Sequence, residues 1–106
     1  MLKLIALYRT PDEVEAFEQH YFTIHIPLVK RLPGLRKLEV TKITGAPLGG
    51  TPYHIMAEMY FDSLDALNAA NASPEGKETT RDLMSFGARY ITLFFGEVHD
   101  LPPAID

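Results

Sequence analysis

Two hydrophobic rhythms divide this chain. Residues 2–8 are apolar at nearly every position, in a run too short for a helix, which reads as a buried strand. Thr10, Pro11 and Glu13 then make a helix-start signature: Thr10 as cap, Pro11 at the first helical position and Glu13 closing a capping box. The spacing predicts a helix over residues 11–25, ended by Pro27, which has no backbone donor and leaves the carbonyl of Thr23 free. A short turn leads to Pro33-Gly34. A second strand follows over residues 35–43, with Leu38, Val40 and Ile43 apolar and charges interleaved. Gly, Pro and Thr mark residues 45–52 as a loop, and residues 53–61 form a third strand. Asp62-Ser63 opens a helix carrying Leu64, Leu67 and Ala70, and Ser73-Pro74-Glu75 restarts one that reaches Phe86 before Gly87. Residues 89–98 are the fourth strand, so the domain spans 1–98 and residues 99–106 form a C-terminal tail.

The order strand, helix, strand, strand, helix, strand predicts an α+β, ferredoxin-like βαββαβ fold: a four-stranded antiparallel sheet with its helices on one face. The strands are apolar on both sides. In the third, Tyr53, Ile55, Ala57, Met59 and Phe61 alternate with Met56 and Tyr60; in the fourth, Ile91, Leu93 and Phe95 alternate with Tyr90 and Phe94. One face packs on the helices. The other needs cover that this chain lacks, since large apolar faces are seldom left bare. A second copy stacked sheet to sheet supplies it, so a homodimer is expected.

On the first helix Phe17, Tyr21, Ile24 and Leu28 share one stripe with Val14, and His25 falls inside it, one turn beyond Tyr21. His25 is then either a satisfied core residue or a group facing an internal cavity. His54 and Glu58 should share one face of the third strand, turned away from the helices, because small Ala57 on the other face lets the helices approach closely. Glu58 in an apolar strand either meets water at a sheet edge or is paired inside. His20 and His99 read as surface groups.

Composition removes other chemistries. With no cysteine there is no disulfide, thiolate metal site or cysteine nucleophile. A net charge of -4 argues against nucleic acid or an anionic membrane as partner, and no apolar run reaches the ~20 residues of a membrane span. The basic residues between Lys30 and Lys37 read as a solvated loop and strand edge. The N-terminal run is too short for a signal sequence, so a cytoplasmic setting is expected. His20 and His25, five apart, do not share an α-helical face as an i, i+4 metal pair would, and no metal or other cofactor is expected. The glycines at 45, 49 and 50 open no helix, and Ser85 lacks a nucleophile elbow.

Several segments together resemble the EthD-like proteins, named for a component of ethyl tert-butyl ether degradation in bacteria, within the dimeric α+β barrel superfamily. They are Leu4-Ile5-Ala6-Leu7-Tyr8-Arg9, His20-Tyr21-Phe22, His25-Ile26-Pro27-Leu28, Pro33-Gly34-Leu35-Arg36, Gly45-Ala46-Pro47 and Ala57-Glu58-Met59-Tyr60-Phe61-Asp62. Ala66-Leu67, Ser73-Pro74-Glu75-Gly76 and Asp82-Leu83 complete the set, which reaches to about Glu97. The resemblance implies a dimer and a cavity between sheet and helices, where His and Tyr act on a small hydrophobic ligand. His25 best matches the family's most characteristic histidine and, with Tyr21, is the catalytic candidate; His54, Glu58, Tyr8 and Tyr60 are the substrate-binding candidates. Two functions stay open. One is a cofactor-independent enzyme degrading an ether-type xenobiotic with His25 as acid–base group. The other is a non-catalytic ligand-binding or accessory factor for an oxygenase system. Convergence of His, Tyr and Glu on one point favours the first; an apolar pocket with a solitary His favours the second.

Overall fold

A computed structural model describes residues 1–104; the last two positions of the expected tail lie outside the described residues. The elements are β1 (Leu2–Arg9), α1 (Val14–His20), a π-turn (Tyr21–His25), α2 (Ile26–Val29), β2 (Lys37–Lys42), β3 (Tyr53–Phe61), α3 (Leu64–Ala72), α4 (Pro74–Phe86) and β4 (Ile91–Glu97). The strands form one sheet in the order β2-β3-β1-β4, each pair antiparallel, which is the expected ferredoxin-like arrangement. No helix among the described residues is long and apolar enough to cross a membrane.

Cross-strand register decides which side chains meet the helices. Ala6 lies opposite Ala57 on one side and Leu93 on the other, while Leu4 pairs with Met59 and Tyr8 with Ile55. Ile55, Ala57, Met59 and Phe61 are all buried on this face. The opposite face carries Ile5, Leu7, Met56, Tyr60 and Phe94, with Phe94 43% exposed. One sheet and one helix layer make a slab only 19 Å thick, so this second face has no cover among the described residues.

Glu58 lies on that uncovered face, as expected, and it is paired rather than edge-exposed: β3 is an internal strand, and Lys3 Nζ sits 2.5 Å from Glu58 Oε2. The hydrogen bond from Lys3 to Glu58 raises the lysine's pKa above its ordinary value. His54 departs from the expectation that it shares this face. The register shifts between Tyr8 and Arg9, which pair with Ile55 and Tyr53, so His54 is the extra residue of a β-bulge. The bulge breaks strict alternation, and His54 Nε2 reaches Glu18 Oε2 on α1 at 2.6 Å.

The first helix differs most from the expected one. It begins at Val14, and Glu13 caps it without a side-chain bond. Thr10 turns instead to the loop before β3, its amide and hydroxyl both donating to the carbonyl of Pro52. Nor does the helix stop at Pro27. Proline denies an α-helical bond to Thr23, and the chain widens into an i→i+5 turn in which the Ile26 amide donates to the carbonyl of Tyr21. α2 then continues to Val29. The wide turn moves the buried stripe on by one residue. Ile24 is 47% exposed and Leu28 only half-buried, while His25, Ile26 and Val29 are buried.

The second helical layer follows the sequence signals. Ser63 Oγ accepts from the Ala66 amide to cap α3, and Ser73 Oγ accepts from the Gly76 amide to cap α4, with Pro74 in its first turn.

Candidate active site

Ala6 and Ala57, paired side by side in the middle of the sheet, leave the helices a gap rather than a close approach. Above them lies a cavity of about 290 Å³. Leu4, Met59 and Leu93 extend the floor; Tyr21, His25, Val29 and Leu83 belong to the roof. Thr79 and Thr80 of α4 bring hydroxyls to an otherwise mostly apolar lining. The cavity is of a size for a small hydrophobic ligand.

His25 is 5% exposed and enters the cavity from the end of the π-turn. Its ring stacks on Tyr21, with centroids 5.7 Å apart, and leans on Phe86 at 5.0 Å. Nδ1 lies 2.9 Å from Asp82 Oδ2 on α4. Burial in this aromatic setting lowers the His25 pKa below 6.5, and the adjacent Asp82 carboxylate opposes that only in part. The imidazole is therefore neutral at neutral pH.

Tyr21 is buried against Tyr8, ring centroids 5.4 Å apart, and both line the cavity. Burial pushes both phenol pKa values up, so each hydroxyl keeps its proton. The Tyr21 hydroxyl has no hydrogen-bond partner among the described residues. A buried hydroxyl left unpaired is uncommon, and this one belongs to a residue that lines the cavity.

Of the residues singled out in the sequence, His25, Tyr21 and Tyr8 meet at this cavity. His54 does not line it; it lies at the end of the sheet with Glu18. Glu58 and Tyr60 occupy the uncovered sheet face. Two participants were not anticipated. His20, read as a surface group, places Nε2 at 2.8 Å from Asp82 Oδ1, so one carboxylate joins both histidines. The five-residue spacing that separates them on an α-helix brings them together across the π-turn. Both ring nitrogens point at carboxylate oxygens, forming a hydrogen-bonded bridge, and no group of three such side chains among the described residues is placed to hold a metal ion. Asp82 had one available signal: it stands three residues after Thr79 and four before Phe86, an acid on the inward side of a helix.

Residues 11–87 match the model of the EthD domain family. A protein of Rhodococcus erythropolis, described as an uncharacterized 11.0 kDa protein in the thcB-thcC intergenic region, is 30% identical over 105 residues, covering 97% of this chain and all of that one. The crystal structure of an ethyl tert-butyl ether d (EthD) family protein from Bacillus halodurans superposes with a TM-score of 0.90 at 43% identity, over 93% of this chain and 99% of that chain. A dimeric protein of unknown function and ferredoxin-like fold from Bacteroides fragilis shares the fold at a TM-score of 0.65 and 20% identity, over 92% of this chain and 95% of that one.

Proposed function

This chain belongs to the EthD domain family, and on that premise we propose that it takes part in bacterial degradation of a small hydrophobic ether-type compound, with His25 as acid–base group. The observation that carries this reading is the neutral, buried His25 imidazole on an apolar cavity beside the unpaired Tyr21 hydroxyl. A neutral imidazole takes a proton, and a protonated phenol donates a hydrogen bond to the ligand's oxygen. Tyr8 and the apolar floor hold the ligand. The binding unit is residues 1–98, acting without a cofactor.

The working form is a homodimer joined through the uncovered sheet face. Ile5, Leu7, Met56 and Phe94 supply the apolar contact, and the paired Lys3 and Glu58 lie among them. Glu58 and Tyr60 then serve the assembly more directly than the ligand, while His54 ties the first helix to the end of the sheet.

A second reading rests on the lining: Glu58 does not converge on the cavity, whose walls are mostly apolar. In that reading the protein holds substrate or product for an oxygenase system without catalysing a step. Ether-degrading cell extracts reconstituted with the purified protein separate the two. Loss of ethyl tert-butyl ether turnover on His25→Ala, with folding and assembly retained, supports the catalytic role. Full turnover with the variant overturns it and leaves the binding role.

A further inference from the structure

We infer that Asp82 and His20 are positioning residues for His25, fixing its proton on Nδ1 and turning the Nε2 lone pair to the cavity. The inference rests on the acid–base reading of His25 and deepens it. An ionised carboxylate only accepts hydrogen bonds, so the 2.9 Å contact with Oδ2 requires a proton on His25 Nδ1. In a neutral ring that leaves Nε2 unprotonated, and Nε2 has no partner among the described residues. His20 Nε2 holds the other carboxylate oxygen at 2.8 Å, so the carboxylate is tied at both ends and cannot swing away from His25. Phe86 packs against both rings, at 4.4 Å from His20 and 5.0 Å from His25.

The π-turn makes the device possible. With α-helical geometry throughout, residues five apart point in different directions and one side chain of α4 does not reach both. The i→i+5 turn brings His20 and His25 to one side, facing Asp82. His20 also lines an outer groove with Pro11, Glu13 and Tyr90, so the bridge runs from the cavity to a more accessible side of the helix. When Nε2 takes a proton from the ligand, the bonding electron pair stays on the ligand. The new imidazolium then faces the Asp82 carboxylate, which stabilises its charge. The titratable groups around His25 are Asp82 from α4, Tyr8 from β1, and Tyr21 and His20 from its own helix.

Nitrogen-15 NMR of the histidine rings, on the full chain without ligand, tests this directly. The expected wild-type spectrum at neutral pH shows His25 protonated at Nδ1 and bare at Nε2. In Asp82→Asn the amide donates to the ring as readily as it accepts. His25 should lose the single tautomer, and its titration midpoint should fall by about one pH unit or more, the scale for losing an opposite charge at contact distance. In His20→Gln, which keeps a donor for Oδ1, the His25 tautomer should persist while its midpoint rises, because the lowering that His20 exerts on His25 has gone. A wild-type His25 carrying its proton on Nε2, or an Asp82→Asn spectrum unchanged in tautomer and midpoint, overturns the assignment. A His25 midpoint indifferent to His20→Gln removes His20 from it. These readouts need no substrate, so their failure is separable from failure of the acid–base reading, which the His25→Ala turnover measurement judges.

Discussion

His54 and Glu18 meet at 2.6 Å because a bulge in β3 turns the histidine toward the first helix. Lys42 joins the same carboxylate at 3.2 Å. Together they tie the first helix to the β2 and β3 end of the sheet. The hydrogen bond from His54, and then that from Lys42, hold the Glu18 carboxyl below its ordinary 4.5.

A group with a depressed folded pKa contributes stability above its unfolded value and loses it as pH falls through the folded one. Wild-type melting temperature should therefore drop from about pH 4.5 downward. Glu18→Gln should be less stable than wild type at neutral pH and should converge on it in acid. Thermal melts across that range check both, and parallel curves for the two proteins would rule out the pairing.

His25 gives a second pH window with its own sign. Above pH 6.5 both the folded and the unfolded chain carry a neutral imidazole at this position. Below it, the unfolded chain binds a proton that the buried ring resists, so stability falls as pH drops from 6.5 toward the depressed folded value. His25→Gln should lose less stability across that interval. A variant slope as steep as wild type would assign the loss to other groups.

Tyr21→Phe removes a buried hydroxyl that has no partner among the described residues. Deleting an unsatisfied polar group should leave stability unchanged or raise it by up to about 1 kcal/mol, against the ~1 kcal/mol loss usual for a bonded hydroxyl. Affinity for an oxygen-bearing ligand should fall at the same time. Urea unfolding together with calorimetric titration of a small ether reads both. A clear loss of stability would mean that the hydroxyl has a structural partner in solution.

Gly76 permits the tight junction between α3 and α4. A Cβ at this position would lie 2.1 Å from the carbonyl oxygen of Ala70 and 2.7 Å from backbone atoms of Asn71. Backbone cannot rotate out of the way as a long side chain can, so Gly76→Ala should cost about 3 kcal/mol or more. Denaturant midpoints measure it; a change within ~0.5 kcal/mol would show that the junction is looser than this.

The uncovered sheet face sets the expected assembly. Phe94→Glu places a charge among Ile5, Leu7 and Met56 on that face. Light scattering should give twice the 11.9 kDa chain mass for wild type and the single-chain mass for the variant. A wild-type monomer at micromolar concentration would remove the dimer.

Strand and helix order, the identity of β3's buried face and the serine caps of α3 and α4 were all legible in the sequence. Each depends on local periodicity or on side chains within a few positions of the backbone groups they serve. The stripe Phe17, Tyr21, Ile24, Leu28 runs one residue out of phase beyond Tyr21, because apolar residues flank His25 on both sides and fit an α or a π register equally well. Pro27 removes one α-helical bond there, and the wide turn is the one that packs Tyr21 on Tyr8 of β1 and His25 on Asp82 and Phe86 of α4. His54 escapes local pattern for the same kind of reason: alternation holds until a strand gains a residue, and that extra residue exists only relative to its partner strand. Asp82, 57 positions from His25, becomes its neighbour through the tertiary fold alone. Local pattern thus determined the layers and their buried faces. The bridge of His20, Asp82 and His25 was decided by how one helix, widened at a single turn, settled against another.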